Sequence, residues 1–234
     1  MNIVCCGRRE EGKTTLAMHI ARKHHRGVVV FDPRGMINGT IVYGSSELED
    51  AIEGGMWQNG PIVYRYDSGD ANSEFDEMCS VLFPPQFTKG GFSLVVDEAG
   101  QLQTAHSINE NFIRAIKQHP TSPPRESVTI IQTNHRLAEF HGASKSLMNE
   151  LYIFQTTYDL DLRTLEQHTG LPQMSEIVKN LPQHHCVRYL YGRQPNNKQY
   201  EVWDNPLIWF NDIKRGPSSS IIPPSKSNNE GWYI

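Results

Sequence analysis

Long apolar runs are missing from these 234 residues, and no stretch approaches the length a helix needs to cross a bilayer. The opening MNIVCC is too short for a secretion signal and runs at once into a glycine, so no exported form is expected. Cysteine is sparse. Cys5, Cys6, Cys79 and Cys186 are the whole complement and none has C-x-x-C spacing, which argues against a zinc site or a disulfide framework and fits the reducing interior of a cell. The adjacent Cys5 and Cys6 read as a small apolar pair in a buried strand. A basic surplus is also lacking. The 22 Lys and Arg against 26 Asp and Glu leave a formal charge of -4, so a chain coated in positive charge is excluded, while a local stripe for nucleic acid is not. No internal repeat is found.

What is present is alternation. NIVCC reads as a short buried strand, and KTTLAMHIARKHH as a helix with Leu16 and Ile20 on its apolar face. GVVVFDP, GPIVYRYD, FSLVVDEAG, SVTIIQTN and the end of SKSLMNELYIFQT read as further strands. SEFDEMCSVLF, stopped by Pro84-Pro85, and NENFIRAIKQH read as helices between them. Strands alternating with helices imply an α/β fold with a mainly parallel sheet, whose ligands sit at the carboxyl ends of the strands. From about Asp159 the texture changes to a helix ending at Gly170 and then two alternating segments, PQHHCVRYLYG and KQYEVWD, expected to form a C-terminal β-hairpin turned by RQPNN. Residues 1–213 are expected to be one domain. Residues 214–234, rich in Pro, Ser, Gly and Asn, form an extended or disordered tail in this reading, and its apolar end Trp232-Tyr233-Ile234 is either a docking peptide or a segment folded back on its own domain.

Three polar clusters follow the strands that end near Cys6, Val96 and Ile131. The first has the spacing Gly7-x-x-x-x-Gly12-Lys13-Thr14. Its glycines permit a tight turn with inward N–H groups, and with the next helix N-terminus these make a nest for phosphate. The backbone of Arg8, Arg9, Glu10 and Glu11 lines that nest, Lys13 brings a charge to the β- and γ-phosphates of ATP, Thr14 offers a hydroxyl to Mg2+, and Thr15 reaches the α-phosphate. In the second cluster, Asp97 suits the Mg2+ shell and Glu98 can deprotonate an attacking water. In the third, Gln132 or Asn134 could hold that water or sense the γ-phosphate, and the spacing leaves both open.

A strand and phosphate loop, a later strand ending in Asp-Glu, and a strand ending in a polar amide resemble the additional-strand, catalytic-glutamate class of P-loop ATPases, with a RecA-like fold. Within it the chain looks most like the HerA/FtsK superfamily of DNA pumps. VVDEAGQ resembles that family's second acidic motif. TIIQTNHRLAEFH resembles its strand ending in Thr-Gln, with Thr133-Asn134 in that register, and LYIFQTTYDLDLRTL resembles its next strand and helix. Length and the lack of accessory domains are similar to the small genome-packaging ATPases of tailless, membrane-containing icosahedral phages and related viruses. The resemblance runs from about Met1 to Gly192. It departs in the sensor, where the family's glutamine is either shifted to Gln132 or replaced by Asn134.

That resemblance implies a homo-oligomeric ring, often hexameric, with ATP and Mg2+ between subunits and double-stranded DNA in the lumen. It implies a capsid vertex protein as a further partner and a place in the host cytoplasm or at the packaging vertex of the virion. It also implies an arginine supplied by the neighbouring subunit. Arg114 is the first candidate, Arg125 the second and Arg136 the third. Lys89 in TKGG and Lys145 in HGASKS are candidate DNA contacts, each equally readable as an ordinary solvated loop. RKHHRG, residues 22–27, reads as cations at a helix C-terminus. Adjacent histidines on a strand would point apart, so QHHC is not expected to hold a metal. In a ring, the charged residues 8–11 would face a neighbour and help register it. Two other functions compete: a nucleotide-switched phage assembly factor of the zonular-occludens-like kind, whose members carry a membrane segment, and a small-molecule kinase, which would need an arginine-rich lid.

Overall fold

The computed structural model describes residues 1–66, 69–83, 91–117, 128–191 and 200–203. Among the described residues nine strands form one sheet: β1 (Asn2–Cys6), β2 (Gly27–Phe31), β3 (Thr40–Tyr43), β4 (Ile62–Arg65), β5 (Phe92–Val96), β6 (Thr129–Asn134), β7 (Glu150–Phe154), β8 (Cys186–Leu190) and β9 (Tyr200–Trp203). Their spatial order is β3-β4-β2-β5-β6-β1-β7-β8-β9. The run from β3 to β7 is parallel, and β8 and β9 add antiparallel strands at one edge. The parallel sheet and the expected pairing of the last two strands are both present, and the turn joining those strands lies outside the described residues. So do Pro84-Pro85, Lys89, Arg125 and the tail.

Helices cover both faces: α1 (Lys13–His24), α2 (Gly44–Glu53), α3 (Ala71–Leu82), α4 (Glu110–Lys117), α5 (Gly142–Ser146), α6 (Asp159–Thr169) and α7 (Met174–Lys179). Along each central strand alternate residues serve opposite faces. Ile3, Cys5, Val28, Val30, Val95 and Ile131 pack under α1 with Leu16 and Ile20. Val4, Cys6, Val29, Phe31, Leu94, Val96 and Ile130 pack against the other layer, where Phe75 meets Phe31 and Phe112 edge-on at 5.2 and 5.3 Å. Burying one such side chain stabilises the fold by about 1.5–3 kcal/mol, so these two layers fix the strands' carboxyl ends relative to one another. The Arg22 and Lys23 cations end α1, where they complement the helix dipole. His184 and His185 precede β8 rather than standing on it, and His184 has φ 64°. The expectation of two strand histidines pointing apart is therefore corrected.

β6 lies between β1, which carries the glycine loop, and β5, which carries the acidic pair. The chain leaves five neighbouring parallel strands at the same edge: β1 into Gly7, β2 into Asp32, β5 into Asp97, β6 into His135 and β7 into Gln155. No helix among the described residues is long and apolar enough to cross a membrane.

Candidate active site

The glycine loop adopts the conformations its residues were chosen to allow. Gly7 has φ 143°, and a Cβ there would lie 2.6 Å from Phe154 Cβ, so only glycine fits against β7. Gly12 has φ 95° and precedes α1 without any side-chain cap, leaving the first N–H groups of a twelve-residue helix open to an anion. Lys13 reaches back across the loop and donates to the Arg8 carbonyl at 2.6 Å. Its ammonium also stands 3.3 Å from His135 Nδ1. Burial pulls the Lys13 pKa down, against the nearby charge of Glu98.

Residues 8–11 divide in a way that composition does not show. The Arg8 guanidinium bonds Gln155 Oε1 at 3.3 Å and Thr157 Oγ1 at 2.5 Å, while Arg9 and Glu10 are exposed. Glu11 is only 6% exposed and accepts the His184 N–H at 2.8 Å. The idea that all four charges face a neighbour is therefore corrected for Arg8 and Glu11. Both tie the loop to the chain's own later segments, and a carboxylate bonded to a backbone N–H in the interior has no freedom to meet another subunit.

Asp97 is the hub. Its Oδ1 accepts the Thr14 hydroxyl at 2.8 Å and the Thr133 hydroxyl at 2.7 Å, and the residue is 3% exposed. Hydrogen bonds to a carboxylate are worth about 1.5–3 kcal/mol each, so the start of α1, the end of β5 and β6 are tied together at this edge. Thr133 in turn accepts the Glu98 N–H at 3.1 Å, which uses both the donor and the acceptor of one hydroxyl. A loop hydroxyl and an acidic side chain converging within hydrogen-bond distance fit a hard cation that prefers oxygen ligands, so Thr14 and Asp97 suit Mg2+.

Glu98 sits beside this hub with φ 53°, a left-handed backbone that costs a non-glycine residue about 1–2 kcal/mol. Its Oε1 lies 3.1 Å from the Arg34 guanidinium. His135 Nε2 is also 3.1 Å from Oε1, though not aligned as a hydrogen bond. Burial pushes the Glu98 carboxyl above its ordinary range, with Arg34 pulling it down and Asp97 adding to the rise. Burial, joined by the charges of Lys13, Arg34 and Arg9, drops the His135 imidazole to about 4, so it is neutral near pH 7 and can accept from Lys13.

The two amides of β6 are separated by depth. Gln132 is fully buried, with Oε1 accepting from Gln103 Nε2 at 2.7 Å and Ser144 Oγ at 3.1 Å, and Nε2 donating to Asn2 Oδ1 at 2.6 Å. Three hydrogen bonds hold that amide inside the fold, away from the open strand edge, so its geometry favours a structural role over that of a sensor. Asn134 stands at the strand end over Gly100, its Oδ1 accepting the His135 N–H at 2.8 Å, while its Nδ2 is buried with no partner. An orphaned buried donor costs about 1–3 kcal/mol, and a ligand at this edge would supply its missing acceptor.

The arginine candidates also separate. Arg136 is committed to its own chain, 3.1 Å from Asp161 Oδ2 and 4.3 Å over the Tyr158 ring, which removes it as a residue offered to a neighbour. Arg114 is exposed on α4, whose Phe112, Ala115 and Ile116 face the core. Lys145 is half-buried on α5, a helix tied to the start of β1 through Asn2 and Ser144. Sequence reasoning missed Thr133 as the bridge, and missed Arg34 and His135 altogether. Alternation along TIIQTN carries a signal for Thr133, which must face α1 with Ile131, whereas nothing local marks Arg34.

No protein-family model matches this sequence, and no curated protein matches it either. Solved structures do match. The genome packaging NTPase B204 from Sulfolobus turreted icosahedral virus 2, in complex with ATP-gammaS, aligns with a TM-score of 0.65 at 16% identity over 87% of this chain and 96% of that one. B204 from Sulfolobus Turreted Icosahedral Virus, described as a DNA-packaging ATPase, gives 0.64 at 15% identity over 87% and 97%. VirB4 of Thermoanaerobacter pseudethanolicus gives 0.58 at 10% identity over 87% and 89%. With its phosphate loop, its interposed β6 and its mainly parallel sheet, this chain has the RecA-like P-loop NTPase fold seen in the packaging NTPase B204.

Proposed function

We propose that this chain is an ATP-hydrolysing motor that moves double-stranded DNA, and that the DNA is a viral genome entering a capsid. The observation that carries the reading is the convergence of Thr14 on Asp97 at 2.8 Å, with Glu98 next in the chain, at the carboxyl edge of this sheet. Lys13 exchanges the Arg8 carbonyl for β- and γ-phosphate oxygens. The open N–H groups of residues 8–15 cradle the phosphates, and Thr15 lies toward the α-phosphate. Thr14 and Asp97 would hold Mg2+. Bound Mg2+–ATP supplies the phosphoanhydride to be broken and offsets the charge that builds on its oxygens. Glu98 takes the proton of the attacking water, since its neighbour Asp97 is engaged by the Thr14 and Thr133 hydroxyls. Asn134, through the unpaired Nδ2, holds that water or the γ-phosphate.

Subunits assemble as a ring, hexameric in this reading, so that an exposed arginine such as Arg114 completes the next subunit's site. Lys and Arg at the lumen grip the phosphate backbone without regard to sequence. A capsid vertex protein is the docking partner, and the motor works at that vertex or in the host cytoplasm before it docks. The B204 proteins, whose fold this chain shares, are themselves described as genome packaging NTPases, which supports the assignment.

Steady-state ATP turnover with and without double-stranded DNA tests the reading. Turnover should require Mg2+, rise several-fold with DNA, and vanish in Lys13→Ala. Turnover indifferent to DNA, with binding to a coat or membrane protein instead, would favour a nucleotide-switched assembly factor. Transfer of phosphate to an added small acceptor would favour a kinase.

A further inference from the structure

Two side chains of the phosphate loop fasten it to a distant part of the chain. β8 begins at Cys186, paired with Phe154 at the end of β7, and Phe154 is the residue against which Gly7 packs. The crossover from β7 to β8, residues 155–185, therefore starts and ends beside the loop. Arg8 bonds Gln155 and Thr157 where the crossover leaves β7, and Glu11 accepts the His184 N–H at 2.8 Å where it enters β8. The crossover is itself held. Met174 and Val178 of α7 are fully buried, Gln155 Nε2 donates to the Lys179 carbonyl at 3.0 Å, and the His185 N–H donates to the Pro182 carbonyl at 3.1 Å to close a turn. His184 stands in that turn at φ 64°, a left-handed backbone that a residue with a side chain keeps only where its surroundings impose it, and from there it gives its N–H to Glu11.

Gly7, Glu10 and Gly12 all have positive φ, at 143°, 62° and 95°. A segment with two glycines has many alternatives to this shape, and the entropy of fixing it falls either on folding or on binding. A carboxylate next to Gly12 is a further liability, because turned toward the site it would oppose an incoming phosphate. Glu11, 6% exposed and bonded to His184, is committed to the crossover instead. We propose that Glu11, supported by Arg8, is a positioning residue that fixes the phosphate loop in its binding shape by fastening it to the β7–β8 crossover. Nucleotide affinity is then set in part by contacts that span 147 to 173 positions of the chain. The proposal rests on the reading of residues 7–15 as the ATP phosphate loop.

The test is equilibrium titration of the full chain with a fluorescent ATP analogue, alongside kcat, KM and the thermal midpoint, for wild type, Glu11→Ala, Glu11→Gln, Thr157→Val and Lys13→Ala. Glu11→Ala is expected to weaken binding about five- to twentyfold and to raise KM in step, a tenfold change being about 1.4 kcal/mol, while kcat at saturating ATP changes far less than KM. Glu11→Gln keeps an oxygen that can accept the His184 N–H and should recover most of the lost affinity. Thr157→Val removes one of the two Arg8 partners and should weaken binding about two- to threefold, so it carries the test from the crossover side should Glu11→Ala not fold. A lower thermal midpoint with affinity and KM unmoved would mark a merely structural role and overturn the proposal, as would Glu11→Gln binding as weakly as Glu11→Ala. Lys13→Ala separates the two levels. If it loses binding in the same assay, the phosphate loop stands without the proposal, and if it binds like wild type, both fall.

Discussion

Glu98→Gln should bind ATP as tightly as the parent chain and fail to hydrolyse it, with single-turnover rates falling about 10²- to 10⁴-fold. The amide keeps the size of the carboxylate and can still accept from Arg34, which now sits 3.1 Å from Oε1, but it cannot take a proton. Binding should survive because the loop is organised without this side chain. Gly7, Gly12 and the Lys13-to-Arg8 contact hold its shape, and Thr14 is fastened to Asp97. A fluorescent nucleotide titration next to a single-turnover assay separates the two effects. Loss of binding together with turnover would recast Glu98 as a residue that supports the loop.

Arg114→Ala should bring the larger loss in the assembled protein, about 10³- to 10⁵-fold in turnover, because an arginine supplied across a subunit boundary acts on charge that develops only in the transition state. Arg114 is the described candidate that remains after Arg136 is assigned to Asp161 and Tyr158. Mixing makes the test specific. A Lys13→Ala subunit has a dead loop and a good arginine, and an Arg114→Ala subunit has the reverse. Mixed rings therefore contain intact junctions, and turnover should return in part on mixing two inactive proteins. Full activity of Arg114→Ala alone would exclude it and move the role to Arg125.

How far such residues could be read without coordinates depends on whether their partners lie nearby in sequence. The glycine loop is legible because backbone conformation is a local matter, and Gly7 and Gly12 do take the positive φ their spacing suggests. The Asp97-Glu98 pair is legible because it directly follows a buried strand that is apolar apart from Ser93. β3 and α2 escaped notice. β3 is a half-exposed edge strand of four residues whose alternation is weak, and α2 begins directly after it at Gly44. The choice between Gln132 and Asn134 could not be made from spacing. They lie two residues apart, on one side of β6, and differ only in that Asn2, Gln103 and Ser144 surround the deeper one. The bond between Glu11 and His184 spans 173 positions, and the Arg34–Glu98 pair joins two strand ends that become neighbours only when β2 lies beside β5. Long-range polar pairing is what the sheet order creates, and no local pattern announces it.

Movement of DNA, as distinct from hydrolysis alone, is measured directly by displacement of a third strand from a DNA triplex. With Mg2+ and ATP the assembled chain should strip a triplex-forming oligonucleotide from double-stranded DNA, with no displacement in Glu98→Gln or with a non-hydrolysable analogue. Hydrolysis at the wild-type rate with the third strand left in place would contradict the account.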